Sequence, residues 1–200
     1  MGRISGALDA LNKRVEAFAR KPHANWFLCG ITFIESSILP IPPDPLLIVL
    51  SVSNPRKSFL YGLICIAGSV AGSLAGYFIG HELFETVGSG LLEFFGATDE
   101  FLVVAEGFRD HVWLTMLVAG FVPVPYHVFT MAAGFTQAID PLTFVLASLC
   151  GRTLRFFTVS ALLFFLGGKL REFTGRHAMS LMLVPAILLV VGVAVAKWIF

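Results

Sequence analysis

The chain has 200 residues, of which 56% are hydrophobic and only 14% are charged, and its formal net charge at pH 7 is +1. Soluble domains carry about 25% charged residues, so this composition argues against a soluble globular enzyme and against a disordered chain. The near-neutral charge gives no reason to expect a nucleic-acid partner, and an integral membrane protein is the class that remains.

Residues 1–22 form the first segment, and its pattern predicts an amphipathic helix over 3–20. Apolar residues recur at spacings of three and four, and charged residues, most of them basic, fill the other face. A basic amphipathic helix can lie flat on an anionic membrane surface; a cap that packs on the membrane domain is the alternative. Pro22 ends this helix.

Residues 26–53 are apolar, but prolines interrupt them near the centre. Four prolines in six positions remove four amide donors and force extended backbone, so one helix cannot run through. Non-helical backbone at membrane depth is tolerated only inside protein or beside water. We therefore predict a re-entrant hairpin, in which two half-helices enter and leave on the same side of the membrane. The prolines of this elbow are Pro40, Pro42, Pro43 and Pro45.

The first full transmembrane helix is predicted over 58–80, and a polar, acidic surface loop or helix follows over 81–111. Small residues at every fourth position of the span form one smooth face, which lets another helix approach closely. These residues are Gly68, Gly72, Gly76 and Gly80.

The second half of the chain repeats this order. Residues 112–135 are apolar and are broken at Pro123 and Pro125, which predicts a second re-entrant hairpin. A second transmembrane helix is predicted over 141–168, so that the membrane domain covers 23–168. A C-terminal transmembrane helix is predicted over 179–199.

A shift of 83 residues places Pro40 on Pro123 and Pro42 on Pro125. One membrane crossing separates the halves, so they have opposite orientations, as in many transporters. The predicted fold is an all-α polytopic membrane protein with two inverted repeats, each made of an amphipathic surface helix, a re-entrant helical hairpin and a transmembrane helix, plus the C-terminal helix. The distribution of basic residues predicts a multi-pass protein of the inner (plasma) membrane with a cytoplasmic N-terminus.

Four charged residues lie where lipid is expected. An arginine or aspartate at a helix centre costs about 2.5–3.5 kcal/mol. Arg152 and Arg155 are three residues apart and share one helix face, and Glu35 and Asp44 flank the first elbow, so we expect the acids to face the arginines. In the functional interpretation the arginines hold a lipid phosphate and an acid accepts a proton. The alternative is a structural ion pair that docks the hairpin.

His127 lies at the second elbow and is a candidate proton relay, with packing against a helix end as the alternative. The three cysteines form no CxxC pair, and the sequence contains no HExxH, GxSxG or GxGD motif. We therefore predict no metal site, no cofactor, no catalytic residues and no enzymatic activity.

The stretch from Glu35 through Leu39-Pro40-Ile41-Pro42-Pro43-Asp44 resembles the DedA family, also called VTT or SNARE-associated Golgi-type domain proteins, and in particular its shorter YqaA-like branch. The glycine-rich span that ends Gly76-Tyr77-Phe78-Ile79-Gly80 carries the same resemblance, which covers residues 20–170.

This resemblance implies two opposed re-entrant hairpins and movement of lipids across the bilayer. Phospholipid or polyprenyl phosphate is the implied cargo, protons are the implied coupling ion, and the acids that match Glu35 and Asp44 are implied to be important. The family pattern places arginines around the proline of the second hairpin, where this chain has Gly120 and Tyr126. That departure leaves the identity of the lipid open.

The function predicted from these features is a lipid transporter or scramblase whose site lies between the two elbows. Two other classes remain open. One is a membrane factor that assembles or stabilises other proteins without transport, and the other is an intramembrane enzyme that acts on lipids. The sequence does not predict an oligomeric state.

Overall fold

The structure is a computed structural model that describes residues 21, 23–96, 98–121, 125–137 and 139–174. Throughout these residues the regular structure is helical, and they contain no β-strand. The prediction of an all-α fold is confirmed for this part of the chain. The amphipathic helix predicted over 3–20, Pro123 and the transmembrane helix predicted over 179–199 lie outside the described residues.

Seven α-helices cover most of the described chain. They are α1 (His23–Ser37), α2 (Asp44–Ser53), α3 (Ser58–Glu82), α4 (Ser89–Phe95), α5 (Thr98–Phe121), α6 (Tyr126–Thr136) and α7 (Pro141–Thr174). A 3₁₀ turn at Pro55–Lys57 precedes α3, and a π-helical turn at Phe84–Gly88 follows it.

The first break in the helical chain separates α1 from α2 and contains the proline run. Pro43 has helical dihedral angles (φ −78°, ψ −17°), and Pro45 lies in the first turn of α2. The expectation that all four prolines sit in extended backbone is therefore wrong for these two. The physical reason is that the first turn of a helix needs no proline N–H and suits the fixed φ of proline.

The second break lies between α5 and α6, where Pro125 has an extended conformation (φ −60°, ψ 95°) directly before α6. α5 begins at Thr98 and continues through the predicted segment boundary at 111–112 to Phe121. The sequence contains no proline between 98 and 122, so nothing stops the helix before this elbow.

Two helical stretches are long and apolar enough to cross a membrane, Pro55–Glu82 and Pro141–Phe165. They pack against each other in antiparallel directions. Near one end Phe59 contacts Phe157 and Phe164, and near the other end the Tyr77 ring lies 4.8 Å from the ring of Phe144.

The glycine face of α3 packs on two helices rather than one. A Cβ atom on Gly68 or Gly72 would lie 2.5 or 2.2 Å from backbone carbonyl oxygens of α1. A Cβ atom on Gly76 or Gly80 would lie 2.2 or 2.0 Å from atoms of α6. These close approaches bring the end of α1 and the start of α6 together on α3.

α7 begins at a side-chain cap. The Oδ1 atom of Asp140 accepts hydrogen bonds from the backbone N–H groups of Leu142 and Thr143, both at 3.1 Å. Hydrogen bonds from the side chain and backbone of Thr143, and then from the backbone of Leu142, hold the pKa of this carboxyl group below its usual range. The cap fixes where α7 starts and therefore the level in the bundle at which each residue of α7 lies.

Buried apolar side chains form two clusters along the bundle. One is centred on Tyr77, Met131 and Phe144, and the other on Leu47 and Phe156. Many large apolar side chains instead lie on the outer surfaces of the helices, as expected where lipid is the solvent. Among them are Trp26, Leu63, Phe78, Leu149 and Phe165.

Candidate functional site

The candidate site lies at the level of the middle of the two long apolar helices. Arg152 lies one residue from the midpoint of Pro141–Phe165, and Ser69 lies at the middle of Pro55–Glu82. Arg152 has none of its surface exposed. Because a guanidinium group at this depth is unfavourable without partners, its contacts show how the bundle compensates for the charge.

Glu35 is the ionic partner of Arg152. The Nη2 atom of Arg152 donates to both carboxylate oxygens of Glu35, at 3.0 Å to Oε2 and 3.3 Å to Oε1, and to the hydroxyl of Ser36 at 3.2 Å. The Ser36 hydroxyl donates to Glu35 at 2.9 Å and lies 2.7 Å from the hydroxyl of Ser69. Helices α1, α3 and α7 therefore meet in one buried polar network.

A second ion pair lies on the other side of the elbow, where Nη2 of Arg155 donates to the carboxylate of Asp44. Both residues are buried. Since Glu35 is near the end of α1 and Asp44 begins α2, the two pairs join both α1 and α2 to one face of α7. Two carboxylates face two guanidinium groups, so the cluster is formally neutral.

Tyr126 covers one face of the Arg152 guanidinium group. The Cζ atom of Arg152 lies 3.7 Å from the centre of the Tyr126 ring, and the Phe156 ring centre lies 5.7 Å away. The Tyr126 hydroxyl donates to Ser148 at 3.0 Å, which fixes the ring against α7. These aromatic contacts stabilise the cation and orient it toward Glu35.

Arg152 nevertheless retains hydrogen-bonding capacity. Its Nε and Nη1 atoms are buried and have no hydrogen-bond partner among the described residues. A guanidinium group carries five N–H donors, and leaving buried donors unpaired is unfavourable. Arg152 can therefore accept a further oxygen ligand without giving up its aromatic contacts.

His127 is buried, and neither of its ring nitrogens has a hydrogen-bond partner among the described residues. Its ring meets the edge of Phe95 at a centroid distance of 6.0 Å. Three residues further on, the Thr130 hydroxyl donates to the backbone carbonyl of Ser36 at 3.0 Å. This bond joins the start of α6 to the end of α1, so the two broken segments meet beside Glu35.

Only some of the polar residues around the ion pair could be identified as site residues from the sequence. The Ser36 hydroxyl bonds to the side chains of Glu35, Ser69 and Arg152 rather than to backbone groups of its own helix. Ser69 was not singled out, although a serine beside the glycine face of a span is a usable signal. Tyr126 was noted only as a departure from the family pattern. The described residues contain no group of three or more His, Cys, Asp or Glu side chains that could hold a metal ion.

Comparison with known proteins gives one family and two relatives. The sequence model of the family described as VTT domain matches residues 41–167. The chain is 34% identical over 140 residues to an uncharacterized protein of Haemophilus influenzae, covering 70% of this chain and 71% of that protein. It is 28% identical over 152 residues to an uncharacterized protein of Histophilus somni, covering 76% of this chain and 78% of that protein. No solved structure matches the chain.

Proposed function

Because this chain belongs to the DedA family of VTT domain membrane proteins, we propose that it moves a phosphate-bearing lipid across the bilayer with protons as the coupling ion. The membership confirms the resemblance drawn from the first elbow and the glycine-rich span, and it makes the chain a membrane protein. The single observation that carries the proposal is the environment of Arg152. Its charge is fully buried at mid-span and paired with Glu35, and two of its nitrogens have no partner among the described residues.

A lipid phosphate suits the guanidinium group of Arg152. A guanidinium group presents parallel N–H donors that match two phosphate oxygens. Both such edges of Arg152 include Nη2, so a bidentate phosphate would replace the Glu35 carboxylate on Nη2 and pair that atom with Nε or Nη1. The Tyr126 ring keeps the plane of the group fixed. Arg155, one turn further along α7, adds a second positive charge on the same side of the first hairpin.

Proton coupling follows because the Glu35 carboxylate and a lipid phosphate compete for the guanidinium group of Arg152. While Glu35 is ionised, it neutralises the guanidinium group. When Glu35 binds a proton it becomes neutral, and Arg152 then carries an uncompensated positive charge that a phosphate anion can neutralise. One proton and one negative charge therefore enter the site together, and the buried cluster stays neutral throughout. Asp44 and Arg155 form an equivalent pair, and His127 is the candidate relay between the two elbows.

An inverted repeat would give this site access to both leaflets, and two equivalent contacts support it. Gly68 of α3 packs against the Cys29 carbonyl oxygen of α1, and Gly151, which is 83 residues later on α7, packs against the Met116 carbonyl oxygen of α5. In the same way α6 packs on α3 and α2 packs on α7. We propose that the two broken segments enter from opposite leaflets, with the N-terminus in the cytoplasm of a cell whose inner membrane holds the protein.

The test is transport by the purified protein in vesicles of phosphatidylethanolamine and phosphatidylglycerol that contain a fluorescent phospholipid. Chemical quenching from outside measures how much of this lipid changes leaflet, with and without a pH gradient. A parallel assay uses a labelled polyprenyl phosphate. We expect Glu35→Gln and Arg152→Ala to fold and to abolish transport. Glu82→Gln and Arg56→Ala change the same residue types at exposed positions and should leave transport unchanged.

The alternatives predict different results in the same vesicles. An intramembrane enzyme would alter the labelled lipid chemically, which thin-layer chromatography would detect. A membrane assembly factor would neither move nor alter the lipid. Transport at the unmodified rate by both Glu35→Gln and Arg152→Ala would remove these residues from the mechanism.

A further inference from the structure

Three serine hydroxyls at one end of the bundle are buried without a hydrogen-bond partner among the described residues. They belong to Ser51 of α2, Ser58 at the start of α3 and Ser160 of α7, and none of the three residues has exposed surface. Other buried serines differ from them. The Ser73 hydroxyl, for example, donates to the Val70 carbonyl oxygen of its own helix at 2.9 Å.

The three hydroxyls come from separate elements that meet in the same region. A Cβ atom on Gly62 would lie 2.4 Å from the Ser160 hydroxyl, and Ser58 lies one turn before Gly62 on the same face of α3. α2 starts where Asp44 contacts Arg155 and leads into the turn that precedes Ser58. It therefore runs beside α7 from the level of Arg155 toward Ser160, which brings Ser51 to this end.

The surroundings of these hydroxyls are otherwise apolar. The same part of the bundle holds Leu47, Leu50, Phe156, Val159 and Leu163 in one buried cluster. Unpaired hydroxyl groups are unfavourable in such a setting, and buried waters commonly bond to polar groups that are otherwise unsatisfied. Three such groups in the same part of the bundle mark places where water would be held.

We propose that Ser51, Ser58 and Ser160 line a chain of water molecules that joins the end of the bundle bearing exposed Arg56 and Lys57 to the buried carboxylate of Asp44. The chain of water would deliver protons to Asp44 from that side of the membrane. Its purpose rests on the proposed proton-coupled transport, but its existence does not. Asp44 lies two turns from Ser51 on the same face of α2, so the water chain reaches the ion pair with Arg155.

Thiol labelling tests whether water reaches these positions. In a chain whose native cysteines are replaced by alanine, single Ser51→Cys, Ser58→Cys and Ser160→Cys variants are reconstituted into vesicles and exposed to a small cationic methanethiosulfonate. The matched control is Ser73→Cys, which is equally buried but bonded within its own helix. We expect the three variants to react about tenfold faster than the control or more, since a thiol reacts as its hydrated thiolate. Rates equal to that of the control would overturn the proposal.

A second measurement does not depend on the size of the reagent. If the three hydroxyls are dry, the triple Ser→Ala variant removes three unsatisfied groups and should raise the thermal unfolding midpoint in detergent. If they bind water, that midpoint should stay unchanged or fall, which is the result expected here. A clear rise would overturn the proposal.

The two proposals can fail separately. Fast labelling together with unchanged transport by Asp44→Asn and Glu35→Gln would keep the water chain and contradict proton-coupled transport through these acids. Loss of transport in those variants together with slow labelling would contradict the water chain alone.

Discussion

Removing Glu35 should leave a buried positive charge with little compensation. In Glu35→Ala, the Nη2 atom of Arg152 keeps only the Ser36 hydroxyl of its three present acceptors. Arg152 has no exposed surface, so water cannot replace the lost carboxylate without opening the bundle. Breaking a buried ion pair costs about 3–5 kcal/mol, and an arginine at a helix centre costs about 2.5–3.5 kcal/mol. Both values predict a loss of about 3 kcal/mol in the free energy of unfolding.

Removing both partners should restore most of that loss. In Glu35→Ala with Arg152→Met no charge remains, and apolar replacements of buried ion pairs are often neutral or stabilising. The double variant should lie within about 1 kcal/mol of the unmodified protein, so the coupling between the two positions should exceed about 2 kcal/mol. Unfolding in mixed micelles, titrated with a denaturing detergent, measures all four proteins of the cycle.

The same cycle has a matched control and a refuting result. Glu82 is exposed and lies at the end of α3, so Glu82→Ala should change the free energy of unfolding by less than about 1 kcal/mol. If Glu35→Ala behaves like Glu82→Ala, or if the effects at 35 and 152 simply add, the two charges do not compensate each other inside the bundle.

Three further predictions test the packing around the site. Gly72→Ala places a Cβ atom 2.2 Å from the backbone oxygen of Phe33 and should cost about 3 kcal/mol; Gly30→Ala meets nothing within 4 Å and should be neutral or slightly stabilising. Tyr126→Phe keeps the ring on the guanidinium group and should lose about 1 kcal/mol, whereas Tyr126→Leu should lose about 2 kcal/mol more. Asp140→Ala should destabilise α7 at neutral pH. Because folding lowers the pKa of Asp140, its contribution is complete above the unfolded-state pKa and is lost as the pH falls through the folded-state pKa, so the difference between the two proteins should vanish in acid.

Each of these predictions has a result that contradicts it. If Gly72→Ala and Gly30→Ala change the free energy of unfolding equally, α1 and α3 are not in backbone contact. Equal costs for the phenylalanine and leucine variants would mean that the ring does not stabilise the cation. A difference at position 140 that stays constant from neutral to acid pH would mean that the ionised carboxylate is not the cap.

The sequence was sufficient for features that follow from strong local rules. Prolines cannot continue a helix, so the break after α1 was visible from residues 40–45, and the break before α6 from Pro125. Four charges at membrane depth need compensation, so acids opposite arginines could be expected. The spacing of Arg152 and Arg155 was also sufficient to place both on one helix face, and that face meets the acids of α1 and α2.

Other features depend on how the helices rotate and slide against each other. The sequence does not determine that Arg152 pairs with Glu35 and Arg155 with Asp44 rather than the reverse, because either pairing satisfies the charges. Tyr126 reaches Arg152 only through the docking of α6 on α3 and α7, which no local pattern encodes. The glycine face was read as one contact surface, whereas α1 and α6 divide it, because helix crossing angles are set by the whole bundle.

The most direct test of the account is the distance between the Arg152 side chain and lipid phosphorus in a bilayer. Solid-state NMR with ¹⁵N-labelled arginine and natural ³¹P in the lipid measures this distance, and the spectrum of Arg152→Lys identifies the signal. We expect a nitrogen–phosphorus distance of about 4 Å in Glu35→Gln, and a much weaker contact in the unmodified protein, where the Glu35 carboxylate pairs with Nη2 of Arg152. Absence of lipid phosphorus near Arg152 in Glu35→Gln would contradict the proposed phosphate site.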